Sequence, residues 1–372
     1  MGLLDYYRQF EDIDEEELNR ERRERRARER ALELERVPTV DLSGTEWPNF
    51  PNSEIMNAAI AAARGRVNGY PDRHAEVVRR ALAERHDVDP EQVVVGNGAA
   101  ELLRQATLLF LRDGGELVTP WPSYPLYPLM AQRAGGRPVP VPLAGGRVDT
   151  DAVLAAVGAN TRAVVLCNPN DPTGTYLDSQ ALGALLSALP DHVNVLLDEA
   201  YIEFQDVEDV DACLRLVDAF PRLLVFRTFS KIWGLSGLRA GYVVAPRDAT
   251  DVLAALAPAL GVNVLTQAGV AQALKIGGRE IERRRALVIE QRGRVLRALH
   301  DMPVDAPDSE ANFVWLRAPG LTGSQLAASL ERAGVLVAHG GALGDDEHVR
   351  AAIRGGAAAE RLLAALAGAV SA

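Results

Sequence analysis

The chain is poor in the residues that build disulfide frameworks and metal sites. Its 372 residues include only two cysteines, Cys167 and Cys213, which lie far apart and form no C-x-x-C pair. We interpret them as small core residues of a protein in a reducing compartment. The six histidines show no H-E-x-x-H or comparable spacing, so no metal site is predicted.

Long apolar runs and excess positive charge are also missing. No stretch approaches the length of a membrane-spanning helix, and the charged N-terminus lacks the apolar core of a secretory signal, so we expect a cytoplasmic protein with no membrane partner. The formal net charge of -11 argues against a nucleic-acid partner. Hydrophobic residues make up 48% of the chain, which is enough for a sizeable core and, at this length, for two domains.

Three regions differ in their residue patterns. Residues 11–36 interleave Glu and Arg without Pro or Gly, which predicts a charged helical extension over residues 1–36, either solvated or docked on a partner subunit or an acidic ligand. Short Val/Leu runs that alternate with helical patterns predict an α/β fold over residues 37–245, a large domain with a mostly parallel sheet covered by helices. Residues 246–372 change to long helices with two short strands, which predicts a smaller C-terminal α+β domain.

The segment RTFSKIWGLSGLRAGY carries the sharpest chemical signal. Lys231 follows the apolar strand LLVF, which places its amine in a cleft at the end of the sheet. A desolvated lysine near positive charge has a lowered pKa and can anchor an aldehyde covalently. Ser230 and Arg239 have the hydroxyl and guanidinium donors that bind a phosphate.

Three other strand ends add weaker signals. In GNGAAE, the amides of Ala99 and Ala100 can face an anion at a helix N-terminus. In LLDEAY, Asp198 ends an apolar strand, where a carboxylate is costly unless it is paired. Its partner is either a pyridinium nitrogen, a helix end or a structural cation. The sequence CNPNDPTG is by itself an ordinary turn.

Together, the motifs GNGAAE, PSYPLY, NPNDPTG, DEAY, RTFSK, GLRAGY and ANF, in this order, resemble the fold-type I aminotransferases that depend on pyridoxal 5′-phosphate (PLP). The resemblance runs from about Val40 to the C-terminus and is closest to the histidinol-phosphate aminotransferase branch. It implies the PLP-dependent transferase fold type I, PLP as cofactor and a homodimer with shared active sites. It also implies a small-molecule amino donor and a 2-oxo acid acceptor.

The resemblance also implies roles for individual residues. Lys231 would hold PLP as a Schiff base and shuttle a proton, Asp198 would pair with the pyridine nitrogen, and Tyr201 would contact the phenolic oxygen. The remaining cofactor contacts would be stacking by Tyr124, phosphate binding by Ser230, Arg239 and the Ala99 and Ala100 amides, and a phosphate contact to the neighbouring subunit from Tyr70. Arg350 would bind the substrate α-carboxylate.

The chain departs from the pattern of these relatives in four places, one of which covers two neighbouring residues. Asp171 replaces the usual Asn before Pro-Thr-Gly, so a second negative charge beside the phenolic oxygen favours a retained proton. Ala338 and His339 stand where an arginine helps to bind substrate phosphate, and Arg354 replaces a glycine, where it either restores an anion site or is solvated. The N-E-N-P element of these relatives appears here as Thr45-Glu46-Trp47-Pro48, and Trp47 adds bulk and an apolar face where they have a small polar residue. We therefore expect a reshaped pocket and a substrate other than histidinol phosphate.

The motifs leave several reactions open because all of them use the same lysine. Amino-group transfer is the leading hypothesis, and Arg350 favours it because it keeps a carboxylate bound. The alternatives are decarboxylation, as in the threonine-phosphate decarboxylases, and oxidase or cyclase chemistry in a biosynthetic pathway. A non-catalytic regulator is disfavoured because the N-terminal extension is too short and too mixed in charge for a DNA-binding domain.

Overall fold

The computed structural model describes Glu24, Arg25, Arg28 and residues 38–371. Most of the predicted N-terminal extension lies outside the described residues. Within them, no helix combines the length and the apolar character needed to cross a bilayer.

A seven-stranded sheet forms the centre of the molecule, in the order β2-β8-β7-β6-β5-β3-β4. Its strands pair in parallel except for β8, which is antiparallel to both of its neighbours. The strands are β2 (Val93–Gly96), β3 (Glu116–Trp121), β4 (Arg137–Pro142), β5 (Thr161–Cys167), β6 (Asn194–Asp198), β7 (Leu223–Thr228) and β8 (Gly241–Val244). This is the mostly parallel sheet that the sequence predicts.

Edge strand β4 contains prolines at 138, 140 and 142, and its position explains how they are tolerated. The backbone N–H of Arg137 donates to the O of Gly115, just before β3, at 2.8 Å. The backbone N–H of Leu143 donates to Trp121 O at the end of β3, at 3.1 Å. Because donors alternate along a strand, the prolines fall on the outer side, where no partner strand needs an N–H. They also block the edge against further pairing.

Helices cover both faces of this sheet, and alternate strand residues supply the two cores. Val165, Leu196 and Phe226 pack on the face that carries α3, whereas Val164, Leu197 and Val225 belong to the other core. This continuous apolar character is typical of strands buried on both sides. The helices of the described residues are α1 (Ser53–Arg66), α2 (Glu76–His86), α3 (Ala99–Leu111), α4 (Leu126–Arg133), α5 (Thr150–Ala156), α6 (Ser179–Ala188), α7 (Thr250–Leu256), α8 (Val264–Ile276), α9 (Gly278–Leu299), α10 (Gly323–Arg332) and α11 (Gly356–Val370).

A smaller unit follows with its own antiparallel sheet, ordered β11-β12-β9. Its strands are β9 (Phe313–Leu316), β11 (Ala338–His339) and β12 (Val349–Ala352). Near the start of the described chain, β1 (Val40–Asp41) pairs in parallel with β10 (Val335–Leu336). The domain boundaries at residues 37 and 245 stay a prediction. The β1–β10 pair joins the first strand of the predicted large domain to the C-terminal unit.

Candidate active site

A cavity of about 370 Å³ opens at the carboxyl ends of the parallel strands β5, β6 and β7. Open α/β sheets bind ligands at this edge because the strand ends and the following loops converge there. Its lining contains nine of the residues singled out from the sequence: Ala99, Ala100, Tyr124, Asp171, Asp198, Tyr201, Ser230, Lys231 and Arg239. A larger cavity of about 750 Å³, bordered by Trp121, Trp315 and His348, contains none of the predicted residues.

Lys231 lies three residues beyond the end of β7, and its amine is held inside the cavity. Its Nζ donates to Thr45 Oγ1 at 2.5 Å and lies 4.8 Å from the centroid of the Tyr201 ring. Burial lowers the pKa of Lys231, the negative charge of Asp171 raises it and the positive charge of Arg350 lowers it, and the net result is a pKa of about 8. The amine is therefore partly unprotonated near neutral pH, as a nucleophile for a carbonyl must be.

Asp198 ends β6 as a buried carboxylate with two hydrogen bonds. Tyr127 Oη donates to Oδ2 at 2.7 Å, and the backbone N–H of Ala200 donates to Oδ1 at 3.2 Å. Burial raises the pKa of Asp198 to about 6, although both hydrogen bonds and the charge of Lys231 lower it. A cationic partner in the cavity would stabilise the ionised form, which is what a protonated pyridine nitrogen offers.

The donors suited to a phosphate gather where α3 begins. Ala99 and Ala100 open this helix, and Arg239 donates to Ser236 O at 2.9 Å. The Arg239 Nη1–Ser230 Oγ distance is 3.5 Å. Gly241 lets the start of α3 lie against the backbone of β8, since a Cβ at that position would lie 2.3 Å from Ala99 N. Helix amides, a hydroxyl and a guanidinium form a set that favours an anion.

A directed chain of hydrogen bonds connects Lys231 with Arg350. Tyr201 donates its only hydroxyl proton to Asp171 Oδ2 at 2.8 Å. Thr45 therefore donates to Tyr201 Oη across 3.1 Å while it accepts from Lys231. Arg350 Nη1 donates to the second Asp171 oxygen in a buried ion pair. Burial keeps the pKa of Tyr201 well above its ordinary value, so its hydroxyl stays a donor.

Arg350 lies in β12, directly opposite Ala338 in β11. Its Nη2 contacts Ser43 O at 3.3 Å, and its Nε is buried with no hydrogen-bond partner among the described residues. Arg350 does not itself line the cavity, but it is paired with Asp171, which does. The sequence alone did not predict this ion pair, because the two residues are 179 positions apart.

Arg354 binds the backbone in the structure. Its Nη2 donates to Gly44 O at 2.8 Å, and its Nη1 donates to Glu46 O. The side chain is half-buried, which contradicts the solvated alternative. It therefore fixes the backbone on both sides of Thr45, the partner of Lys231, and its part in an anion site stays a prediction.

Trp47 and Tyr70 lie away from the cavity lining. The Trp47 ring stacks under Arg284, with 4.8 Å between the ring centroid and the guanidinium carbon. Tyr70 is 86% exposed on this single chain. Neither side chain is brought to Lys231 within the subunit, so their predicted contacts with substrate and with a partner's cofactor stay predictions.

The structure adds site residues that were not predicted from the sequence. Thr45 and Tyr127 bond to Lys231 and Asp198 respectively, and each comes from an element distant in the chain. Tyr127 ends the PSYPLY motif, but neither contact was predicted, because both arise only from the fold. The further additions to the cavity wall are Glu46, Cys167, Ala200, Thr228 and Ser236.

Comparison with known proteins identifies the family. The model of the family described as aminotransferase class I and II matches residues 38–366. The chain belongs to this family. It is 40% identical over 323 residues to a histidinol-phosphate aminotransferase of Rubrobacter xylanophilus, and the alignment covers 86% of this chain and 89% of that protein. It is 38% identical over 287 residues to an aromatic amino acid aminotransferase of Corynebacterium jeikeium, with 76% of each chain covered.

A solved structure supports the same assignment and the cofactor. Histidinol-phosphate aminotransferase from Sinorhizobium meliloti in complex with pyridoxal 5′-phosphate aligns with a TM-score of 0.79 and 26% identity, covering 90% of this chain and 91% of that one. The chain is thus a PLP-dependent aminotransferase of fold type I. The cavity fits this cofactor, because an amine, a buried carboxylate and a set of phosphate donors line one space.

Proposed function

We propose that this enzyme moves an amino group between an amino acid or amine and a 2-oxo acid, with PLP bound to Lys231 as a Schiff base. The observation that carries the proposal is the Lys231 amine, whose pKa is lowered to about 8 in the same cavity as Asp198. When bound, PLP supplies an electron sink for the bond that breaks at the substrate carbon. Thr45 accepts a hydrogen bond from Nζ, and the Lys231 amine would move the proton at the substrate carbon.

The other cavity residues act as binding and positioning groups in this proposal. Asp198 would pair with the pyridine nitrogen, and the buried Tyr201 hydroxyl would contact the phenolic oxygen by turning its proton there from Asp171. Tyr124 lies at the ring, where burial keeps its pKa raised and its hydroxyl neutral. Ser230, Arg239 and the first amides of α3 hold the phosphate.

We further propose that the substrate is not histidinol phosphate, although one relative carries that name. Ala338 and His339 supply no guanidinium at the position where phosphate binding is expected. Arg354 does not line the cavity, and its Nη1 and Nη2 groups donate to the carbonyls of Glu46 and Gly44. A phosphorylated substrate would have to lose its hydration there without a matching cation.

The proposed assembly is a cytoplasmic homodimer in which Tyr70 reaches the partner's cofactor phosphate. Several apolar side chains near Tyr70 in sequence are exposed on the single chain, among them Phe50 at 97% and Val67 at 71%. Large exposed apolar residues in one region are characteristic of a protein interface. This supports a partner surface on the side of the molecule that carries Tyr70.

The anchor can be tested cleanly because the chain contains only two lysines, Lys231 and the exposed Lys275. We expect PLP to give a visible band that borohydride abolishes, with the reduced label on Lys231. Lys275→Arg should retain the band, and Lys231→Arg should lose it. Labelling of Lys275 alone, or no band after PLP is added, would overturn the proposal.

The reaction type needs a separate measurement. A donor panel should convert the cofactor to pyridoxamine phosphate and release the matching carbonyl product, and a 2-oxo acid should then restore the band. Release of CO₂ without pyridoxamine phosphate would favour decarboxylation, and consumption of O₂ would favour an oxidase.

A further inference from the structure

Asp171 changes the charge at the end of the cavity where a substrate carboxylate is expected. Both of its oxygens are used, one by Tyr201 and the other by Arg350. Asp171 is 3% exposed and Arg350 is 9% exposed, so solvent screens the pair only weakly. With the Asn that relatives have at this position, the Arg350 charge would be unbalanced, but here the pair is neutral.

A substrate carboxylate can still approach Arg350, but it gains less from doing so. The unpartnered Nε is buried, and Arg350 is not among the residues that line the cavity. An anion at this end of the cavity lies close to the Asp171 carboxylate, and like charges in a buried site oppose each other. Glu46, which lines the same cavity, adds further negative charge. A donor with no α-carboxylate avoids this repulsion and leaves Arg350 paired.

We propose that Asp171 is a specificity-determining residue, whose ion pair with Arg350 makes the cavity accept primary amines that lack an α-carboxylate. This rests on the proposed amino-transfer function and names its donor class. The balanced reaction is R–CH₂–NH₂ plus a 2-oxo acid giving R–CHO plus an amino acid. The carboxylate of the acceptor meets the same repulsion as that of an amino acid donor, so we expect a high KM for the 2-oxo acid that falls in Asp171→Asn. The donor carbon is oxidised and the acceptor carbon is reduced, so no further oxidant is needed.

The test compares wild type with Asp171→Asn, a change of nearly equal volume. The probes are the unreactive carboxylates propionate and 3-phenylpropionate, with neutral 3-phenylpropanol for comparison, titrated against the visible PLP band. Ionic hydrogen bonds typically contribute enough to change affinity by about tenfold or more. We therefore expect the variant to bind both carboxylates at least about tenfold more tightly and the alcohol with unchanged affinity.

Two matched variants identify the cause. Glu46→Gln removes a carboxylate from the same cavity without removing the partner of Arg350, so we expect a smaller gain. In an Arg350→Gln background, Asp171→Asn should give a smaller gain, because a like charge is removed but no guanidinium is released. In turnover, the ratio of kcat/KM for phenylalanine over 2-phenylethylamine should rise at least about tenfold in Asp171→Asn.

The outcomes separate this inference from the proposed function. If wild type forms no Lys231-linked band, the proposed function is wrong. If the band is intact in both proteins but Asp171→Asn binds the carboxylates no more tightly, or gains equally without Arg350, the proposed function stands and the role of Asp171 is overturned.

Discussion

Gly98 illustrates how one residue limits the phosphate end of the cavity. Its φ of +100° lies in the region that favours glycine. A Cβ at this position would lie 2.6 Å from Arg239 Nη2. The guanidinium can move away, but that movement would take it from the place where the proposed phosphate contact is made.

We expect Gly98→Ala to weaken PLP binding by at least about tenfold, because an ionic hydrogen bond of this kind typically contributes about 1.5–3 kcal/mol. The measurement is a titration of the cofactor-free protein with PLP, followed at the visible band. Gly114→Ala is the control for backbone strain alone, since Gly114 has a φ of +83° and open space around its Cβ position. Equal losses in the two variants would contradict the explanation.

Single residues also show how far the sequence could predict the site. Lys231 and Asp198 were identifiable because each follows an apolar strand, and a polar group at a parallel strand end reaches the ligand-binding edge. Thr45 was not, because its contact with Lys231 spans 186 positions. The Asp171–Arg350 ion pair was not predicted for the same reason, although each residue had been selected separately from the sequence.

At the scale of elements, segment 43–47 joins the small unit to the site. Asn312 Nδ2 donates to Thr45 O at 2.9 Å, and Arg354 donates to the carbonyls of Gly44 and Glu46. The segment is irregular, so these side chains replace the partners that a helix or sheet would give its backbone. Arg354 therefore acts on Lys231 through the position of Thr45.

Replacing Arg354 should loosen this segment. We expect Arg354→Met to lower the free energy of unfolding by about 1–2 kcal/mol, because two hydrogen bonds from a charged group to partly exposed carbonyls are lost. Hydrogen exchange at the amides of residues 43–47 should accelerate at the same time. Arg332→Met, at an exposed position in the last turn of α10, should change stability by less than about 0.5 kcal/mol. If the two variants behave alike, Arg354 does not hold the segment.

Elements differ in how well the sequence predicts them. The strands β5, β6 and β7 were recognisable from continuous apolar runs, and the structure contains all three. Strand β4 was not predicted, because the prolines of RPVPVP argue against a strand unless it lies at an edge. Edge position depends on the order of the whole sheet, which local patterns do not contain.

The whole molecule raises the question of what covers Tyr70. Its side chain is 86% exposed, and it lines none of the site within its own subunit. The proposed homodimer explains this by giving Tyr70 to the partner's cofactor phosphate. If so, each site combines Lys231 from one subunit with Tyr70 from the other.

This arrangement predicts complementation between two defective subunits. Tyr70→Phe should bind PLP about tenfold or more weakly, since a hydrogen bond to a charged phosphate is lost, and Lys231→Arg should form no Schiff base. A hybrid purified through two different tags contains one site with Lys231 from the first variant and Tyr70 from the second. We expect half of its sites to bind PLP covalently with wild-type affinity. If the Schiff base of the hybrid forms only with the weaker affinity of Tyr70→Phe, Tyr70 lies outside the partner's site. In that case Tyr70 of the second variant does not restore PLP binding at the Lys231 of the first.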